Sequence, residues 1–138
     1  DAASRRMYDA TRPHVASFDR GAGGPGSMMG AIALARQTLM DARWYAAANE
    51  AARRNRLSRP AVRDDLAALE AASLGLHPML FESGDVKEAV RVGALADELG
   101  LDVWLLGSGT EYQDIAGVQL RRRARWSPGY GFLYPLGK

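Results

Sequence analysis

One carboxylate, Glu82, closes the short apolar run Met79-Leu-Phe-Glu82. Such a run reads as a buried strand, and the C-terminal ends of strands are where α/β proteins gather their reactive groups. A carboxylate there ligates a hard metal or acts as a general base; the alternative is a loop carboxylate that caps a helix or forms a salt bridge. A second candidate is Gly107-Ser-Gly-Thr-Glu111, which follows the apolar run Asp102-Val-Trp-Leu-Leu106. Backbone amides at Gly107, Ser108, Gly109 and Thr110 suit a phosphate or carboxylate ligand, helped by the dipole of a helix opening behind them. The motif is shorter than a Walker or dinucleotide fingerprint. Its alternative is a tight turn in which Ser108 and Glu111 have the spacing of a capping box.

Other reactive types carry less. His14 and His77, the two histidines of the chain, have no partner ligands at metal spacing and read as structural or exposed. Ser27 and Ser108 lack a Gly-x-Ser-x-Gly context, so nucleophilic serine chemistry is unsupported. The absence of cysteine excludes disulfides, thiolate nucleophiles and cysteine-based metal sites, and leaves the compartment open. No metal site is evident. Arg53, Arg54, Arg56, Arg59 and Arg63 form one basic cluster, and Arg121, Arg122, Arg123 and Arg125 another. Each reads as a solvated face or tail, or as a contact for phosphate or an acidic partner. With 18 basic and 16 acidic residues the net charge is +2, which gives no argument for nucleic acid.

The elements that must position these groups follow from periodicity. At 138 residues, 47% apolar and 25% charged, one globular domain is the expectation. No stretch is long and apolar enough to span a membrane. Asp1 to Arg6 do not resemble a signal peptide, and Asp1 in place of an initiating Met suggests a trimmed or excised product. Residues 1–26 form an irregular lead ending in the turn-rich Gly21-Ala-Gly-Gly-Pro-Gly26. Ser27 is a good N-cap, and Met28, Ile32, Ala35, Leu39, Ala42 and Ala46 fall on one helical face, with Gln37 and Asp41 opposite. A second helix, about Ala61 to Leu74, carries Val62, Leu66, Leu69 and Ser73 inward, with Pro60 at its start and Gly75 at its stop.

Residues 79–116 then read as strand, helix, strand, helix. Asp85 and Glu88 have capping-box spacing, Ala89, Val92, Ala96 and Leu99 form the inner helix face, and Gly100 ends it. A short helix from Thr110 to about Ala116 follows. Two short strands joined by such a helix imply a parallel pair with a crossover. Trp44, Tyr45 and Trp104 read as core or helix-packing aromatics. The segment 117–138 is a basic, aromatic tail in which Gly131-Phe-Leu-Tyr-Pro135 could form a strand end or an edge strand. Two parallel strands need cover on both faces. Further strands are therefore expected from residues 1–20, from the tail, or from another chain.

Three stretches together carry a resemblance. They are Gly26-Ser-Met-Met-Gly-Ala-Ile-Ala-Leu-Ala-Arg-Gln-Thr38 with Asp41-Ala-Arg-Trp-Tyr45; Pro78-Met-Leu-Phe-Glu82 with the helix up to Glu98-Leu-Gly-Leu-Asp102; and Leu106-Gly-Ser-Gly-Thr-Glu-Tyr-Gln113. In order and spacing, residues 25–115 resemble the middle of amidohydrolase-like (β/α)8 barrels, including the imidazolonepropionase-related group. The resemblance implies metal-assisted hydrolysis of C–N bonds, with one or two divalent metals such as zinc at the barrel mouth. The family's His-x-His pair is absent, Glu82 stands where many relatives carry His, and Gly107-Ser-Gly109 stands where the next His would follow.

The expectation is thus an α/β chain: two parallel βα units preceded by a long helical pair (27–75), either a single domain or a barrel fragment. It would be a hydrolase segment that is not catalytic alone, completed by other polypeptide or by homo-oligomerisation. The alternative is a non-catalytic interaction module that binds an acidic partner or small anion.

Overall fold

The computed structural model describes residues 13–18, 23–109, 111–114 and 124–127. The elements are β1 (His14–Ser17), α1 (Met28–Asn55), α2 (Asp64–Ser73), β2 (Met79–Glu82), α3 (Val86–Leu99), β3 (Val103–Leu106), a 3-10 turn (Glu111–Asp114) and β4 (Ala124–Ser127). The strands form one four-stranded sheet in the order β1-β2-β3-β4, every neighbouring pair parallel. No described helix is long and apolar enough to cross a membrane.

Helix α1 starts where its cap chemistry dictates. The Ser27 hydroxyl accepts the Gly30 amide at 3.1 Å, satisfying a donor the helix cannot. The anticipated stripe turns inward: Ile32, Leu39, Ala42 and Ala46 are buried, and Met28 and Ala35 pack against the core. A helix of 28 residues is about 42 Å long at 1.5 Å per residue, far longer than a four-residue strand. It therefore serves two cores. Ala31, Ile32 and Leu39 join the main core on the sheet, while Ala42 and Tyr45 meet Leu66 of α2 in a second cluster.

Helix α3 is fixed at both ends. The Asp85 carboxylate accepts the Glu88 amide at 2.8 Å, and the Glu88 carboxylate reaches back to the Gly84 amide at 2.6 Å. Gly100 ends the helix in the left-handed region at φ 65. Its inner face, with Ala89, Val92, Leu95, Ala96 and Leu99 buried, lies on Met79, Phe81, Val103 and Leu105.

Several expectations need correction. The lead 1–26 is not wholly irregular, because His14–Ser17 pairs with β2 as a strand. The tail likewise supplies a strand at Ala124–Ser127. Both are four residues long, like β2 and β3, but His14-Val-Ala-Ser17 and Ala124-Arg-Trp-Ser127 lack the run of large apolar residues that marks Met79–Glu82 and Val103–Leu106. Helix α2 starts at Asp64 rather than near Ala61, and Val62 is exposed rather than inward. The Tyr45 hydroxyl accepts the Arg63 amide at 3.2 Å, and Arg63 is extended at φ −134, so the chain cannot wind into helix before it. Trp44 is 64% exposed, not core. Successive helical residues point about 100° apart, and Tyr45 holds the inward position. A 3-10 turn at Glu111–Asp114 stands where a short helix was anticipated; Thr110, Ala116 and Gly131 to Pro135 lie outside the described residues.

The two faces of the sheet differ. Met79, Phe81, Val103 and Leu105 point into the helical core. On the other face Leu80, Trp104 and Leu106 are only half-buried and Val15 is exposed. Parallel strands taken in sequential order, each joined by a crossover of the same hand, put their helices on one side.

Candidate functional site

The C-terminal edge of the sheet is built by register. Ser17, Glu82, Leu106 and Ser127 occupy one row across the four strands. Alternation along β2 buries Met79 and Phe81 and leaves Glu82 exposed, on the side away from the helices. Ser83 then turns the chain. It is buried, and both its amide, at 3.0 Å, and its hydroxyl, at 3.2 Å, donate to the Leu106 carbonyl. That double bond to the end of β3 fixes the point from which Glu82 projects.

Beside Glu82, Gly84 leads into α3; the Glu88 amide of the first turn is taken by the Asp85 carboxylate, and the Gly84 amide ahead of the helix by that of Glu88. After β3, Gly107 is buried and Ser108 and Gly109 are exposed, with Gly109 at φ 89 and open space around its α-carbon. The turn behind them is 3-10 and four residues long, so the dipole support that a full helix lends an anion is small there. Thr110, the fourth anticipated ligand residue, lies outside the described residues. Glu82 and the glycine loop thus stand on neighbouring strand ends.

A zinc centre takes three or four N, S or O ligands. Among the described side chains, this row of strand ends supplies one carboxylate and two hydroxyl or apolar neighbours, Ser17 and Leu106. That donor set does not fit a resident zinc by itself.

Three features were not legible as functional. The Trp104 indole Nε1 is buried on the open face without a hydrogen-bond partner among the described residues. A buried unsatisfied donor costs about 1–3 kcal/mol. His14 and His77, far apart in sequence, have their rings 5.5 Å apart at the N-terminal edge of the sheet. Only the pairing of β1 with β2 brings them together, and no local motif announces it. Finally, Arg43, mid-way along α1, donates to the carbonyls of Ser73 and Leu99, the last residues of α2 and α3. A cation there meets the negative ends of two helix dipoles.

Comparison of the chain with protein-family models, with curated proteins and with solved structures finds no match.

Proposed function

We propose that the chain is one wall of an amidohydrolase-like barrel: a segment of a hydrolase acting on C–N bonds that does not turn over substrate alone. The observation that supports this most is the singly wound sheet. Four parallel strands run in sequential order with the helical core on one side. A (β/α) barrel has this order, its helices outside and its strand side chains packed within. The half-buried Leu80, Trp104 and Leu106 and the Trp104 Nε1, without a partner among the described residues, suit an inner face that further strands cover. Other polypeptide, or a second copy of the chain, supplies those strands.

In this reading Glu82 sits at the mouth, where its carboxylate can accept a proton from water or hold a substrate N–H. In this reading the ligands for a family metal come from the polypeptide that completes the barrel. A second reading is a non-catalytic module binding a small anion or acidic partner. The exposed Ser108 beside the open Gly109 is the feature in its favour.

The test is hydrolysis of a panel of cyclic amides by the native particle, with Glu82→Gln beside it. Turnover that falls at least a hundredfold in Glu82→Gln supports the barrel reading. Absence of turnover together with phosphate binding that is lost in Ser108→Ala supports the module.

A further inference from the structure

We infer that the outer face of α1 is a self-association surface, on which a second copy of the chain docks antiparallel. On the side of α1 turned away from both cores, Ala33, Gln37, Met40, Trp44, Ala47 and Ala51 are all exposed, Met40 at 49% and Trp44 at 64%. Their spacings are four, three, four, three and four. That is the seam of a coiled coil, along which one helix lies on another. The solvent side of a surface helix is ordinarily charged or polar. This seam carries no charge over about five turns.

The pattern is self-complementary. A twofold axis crossing the seam midway between Met40 and Trp44 sets Met40 of one copy level with Trp44 of the other. Gln37 then lies level with Ala47, and Ala33 with Ala51. Large side chains meet at the centre, and small residues stand at both ends. Met against an indole ring is a favourable contact, and aromatic residues and Met are enriched at interfaces. A parallel pair would instead oppose Trp44 to Trp44 and Gln37 to Gln37. The twofold contact is isologous, so it closes on two copies.

The edges of the seam agree with this. Arg36 and Glu50 border one edge, and the antiparallel axis brings that edge against its own copy. Arg36 of one chain then stands within two residues, about 3 Å along the axis, of the level of Glu50 of the other. Arg36 is already paired with Glu98, and Glu50 with Arg53 and Arg54, so docking sets anions and cations in alternation. Asp41, on the other edge, meets its own copy and is the one like-charge contact. Covering the seam withdraws roughly 600 Å² per copy from water, or roughly 1,200 Å² in all, the lower bound of a specific interface. The association is therefore reversible, and in dilute protein Trp44 is open to solvent. The seam faces away from the sheet, so the inference does not rest on the hydrolase reading.

The experiment is sedimentation of the full chain over a range of concentration, with wild type beside Trp44→Glu, Ala47→Arg and Asp41→Asn. The expected result is a mass that doubles as concentration rises, with acrylamide quenching of Trp44 falling in step. Trp44→Glu and Ala47→Arg should each weaken association by about thirtyfold or more, leaving half the wild-type mass. Both sites are exposed, and either variant suffices if the other fails to fold. Asp41→Asn should tighten association by about two- to fivefold. Because the chain lacks cysteine, a mixture of Gln37→Cys and Ala47→Cys should cross-link more than either alone. The inference is overturned if mass is the same in wild type, Trp44→Glu and Ala47→Arg at every concentration, which would leave any assembly to the sheet face. It is equally overturned if Asp41→Asn weakens association, the sign of a parallel pair in which Asp41 meets Arg36, or if each single cysteine cross-links as well as the mixture.

Discussion

The Nε of Arg43 donates to the carbonyl oxygen of Ser73 at 2.6 Å, and the same guanidinium donates to the carbonyl of Leu99. One side chain from the middle of α1 thereby gathers the C-termini of α2 and α3, which deliver the chain into β2 and β3. Hydrogen bonds from a charged donor contribute about 1.5–3 kcal/mol each, less what solvent would have supplied. Arg43→Ala should lower unfolding stability by about 2 kcal/mol and Arg43→Lys by less, because a point charge keeps the dipole attraction but loses the fork. Urea unfolding should show a lower midpoint at an unchanged slope.

Gly75 makes the neighbouring close approach. It is left-handed at φ 71, and a β-carbon there would lie 2.3 Å from the Gly100 carbonyl oxygen. The Leu76 amide donates to Ala71 at 2.9 Å and the Gly75 amide to Ala72 at 3.0 Å, the pattern of a Schellman stop. Gly75→Ala therefore carries both a conformational and a steric penalty. Gly109 has φ 89 but nothing within 4 Å of an added β-carbon. Thermal unfolding should show Gly75→Ala more destabilising than Gly109→Ala by more than about 1 kcal/mol.

Arg63 and Asp65 form an exposed pair with titratable consequences. The Arg63 guanidinium donates to both carboxylate oxygens of Asp65, at 3.0 and 2.8 Å, and holds its pKa down at about 2. A carboxylate whose folded pKa is depressed contributes stability that is present above its unfolded pKa, near 4, and lost as pH falls through the folded value. The contribution of this pair should fade between about pH 4 and pH 2. In Arg63→Ala, NMR titration should find the Asp65 carboxylate raised towards the ordinary range.

Trp104 tests whether the open face carries an unsatisfied donor. With Nε1 buried and without a partner among the described residues, Trp104→Phe removes a group that costs energy and keeps an aromatic ring on the sheet. Stability of the isolated chain should stay level or rise by up to about 1 kcal/mol. A loss above about 2 kcal/mol would mean that Nε1 is engaged. Acrylamide quenching should be stronger for the Trp44 component, removed by Trp44→Phe, than for Trp104, since residue Trp44 is 64% exposed and Trp104 only partly so.

Caps and long periodic faces were readable because they are local. Ser27, Asp85 with Glu88, and Gly75 and Gly100 each act within one turn, and β2 and α3 fall where periodicity puts them. Strands β1 and β4 were not readable, because HVAS and ARWS, unlike the equally short MLFE and VWLL, carry no run of large apolar residues, and their parallel partners lie far away in sequence. Trp44 and Tyr45 show the limit of composition: both are aromatic, yet only one can face inward. Glu82 lies at the strand end its sequence context implied. The His14–His77 pair and the Arg43 clasp depend on tertiary pairing and left no local mark.

The central claim is that this singly wound sheet is completed by further polypeptide. The most direct measurement is the mass of the native particle by light scattering coupled to size exclusion. The account predicts a particle of at least twice 14.9 kDa, in which amides and side chains of the Leu80–Trp104–Leu106 face are protected from exchange and quenching. A well-folded 14.9 kDa monomer with that face open to solvent would contradict it.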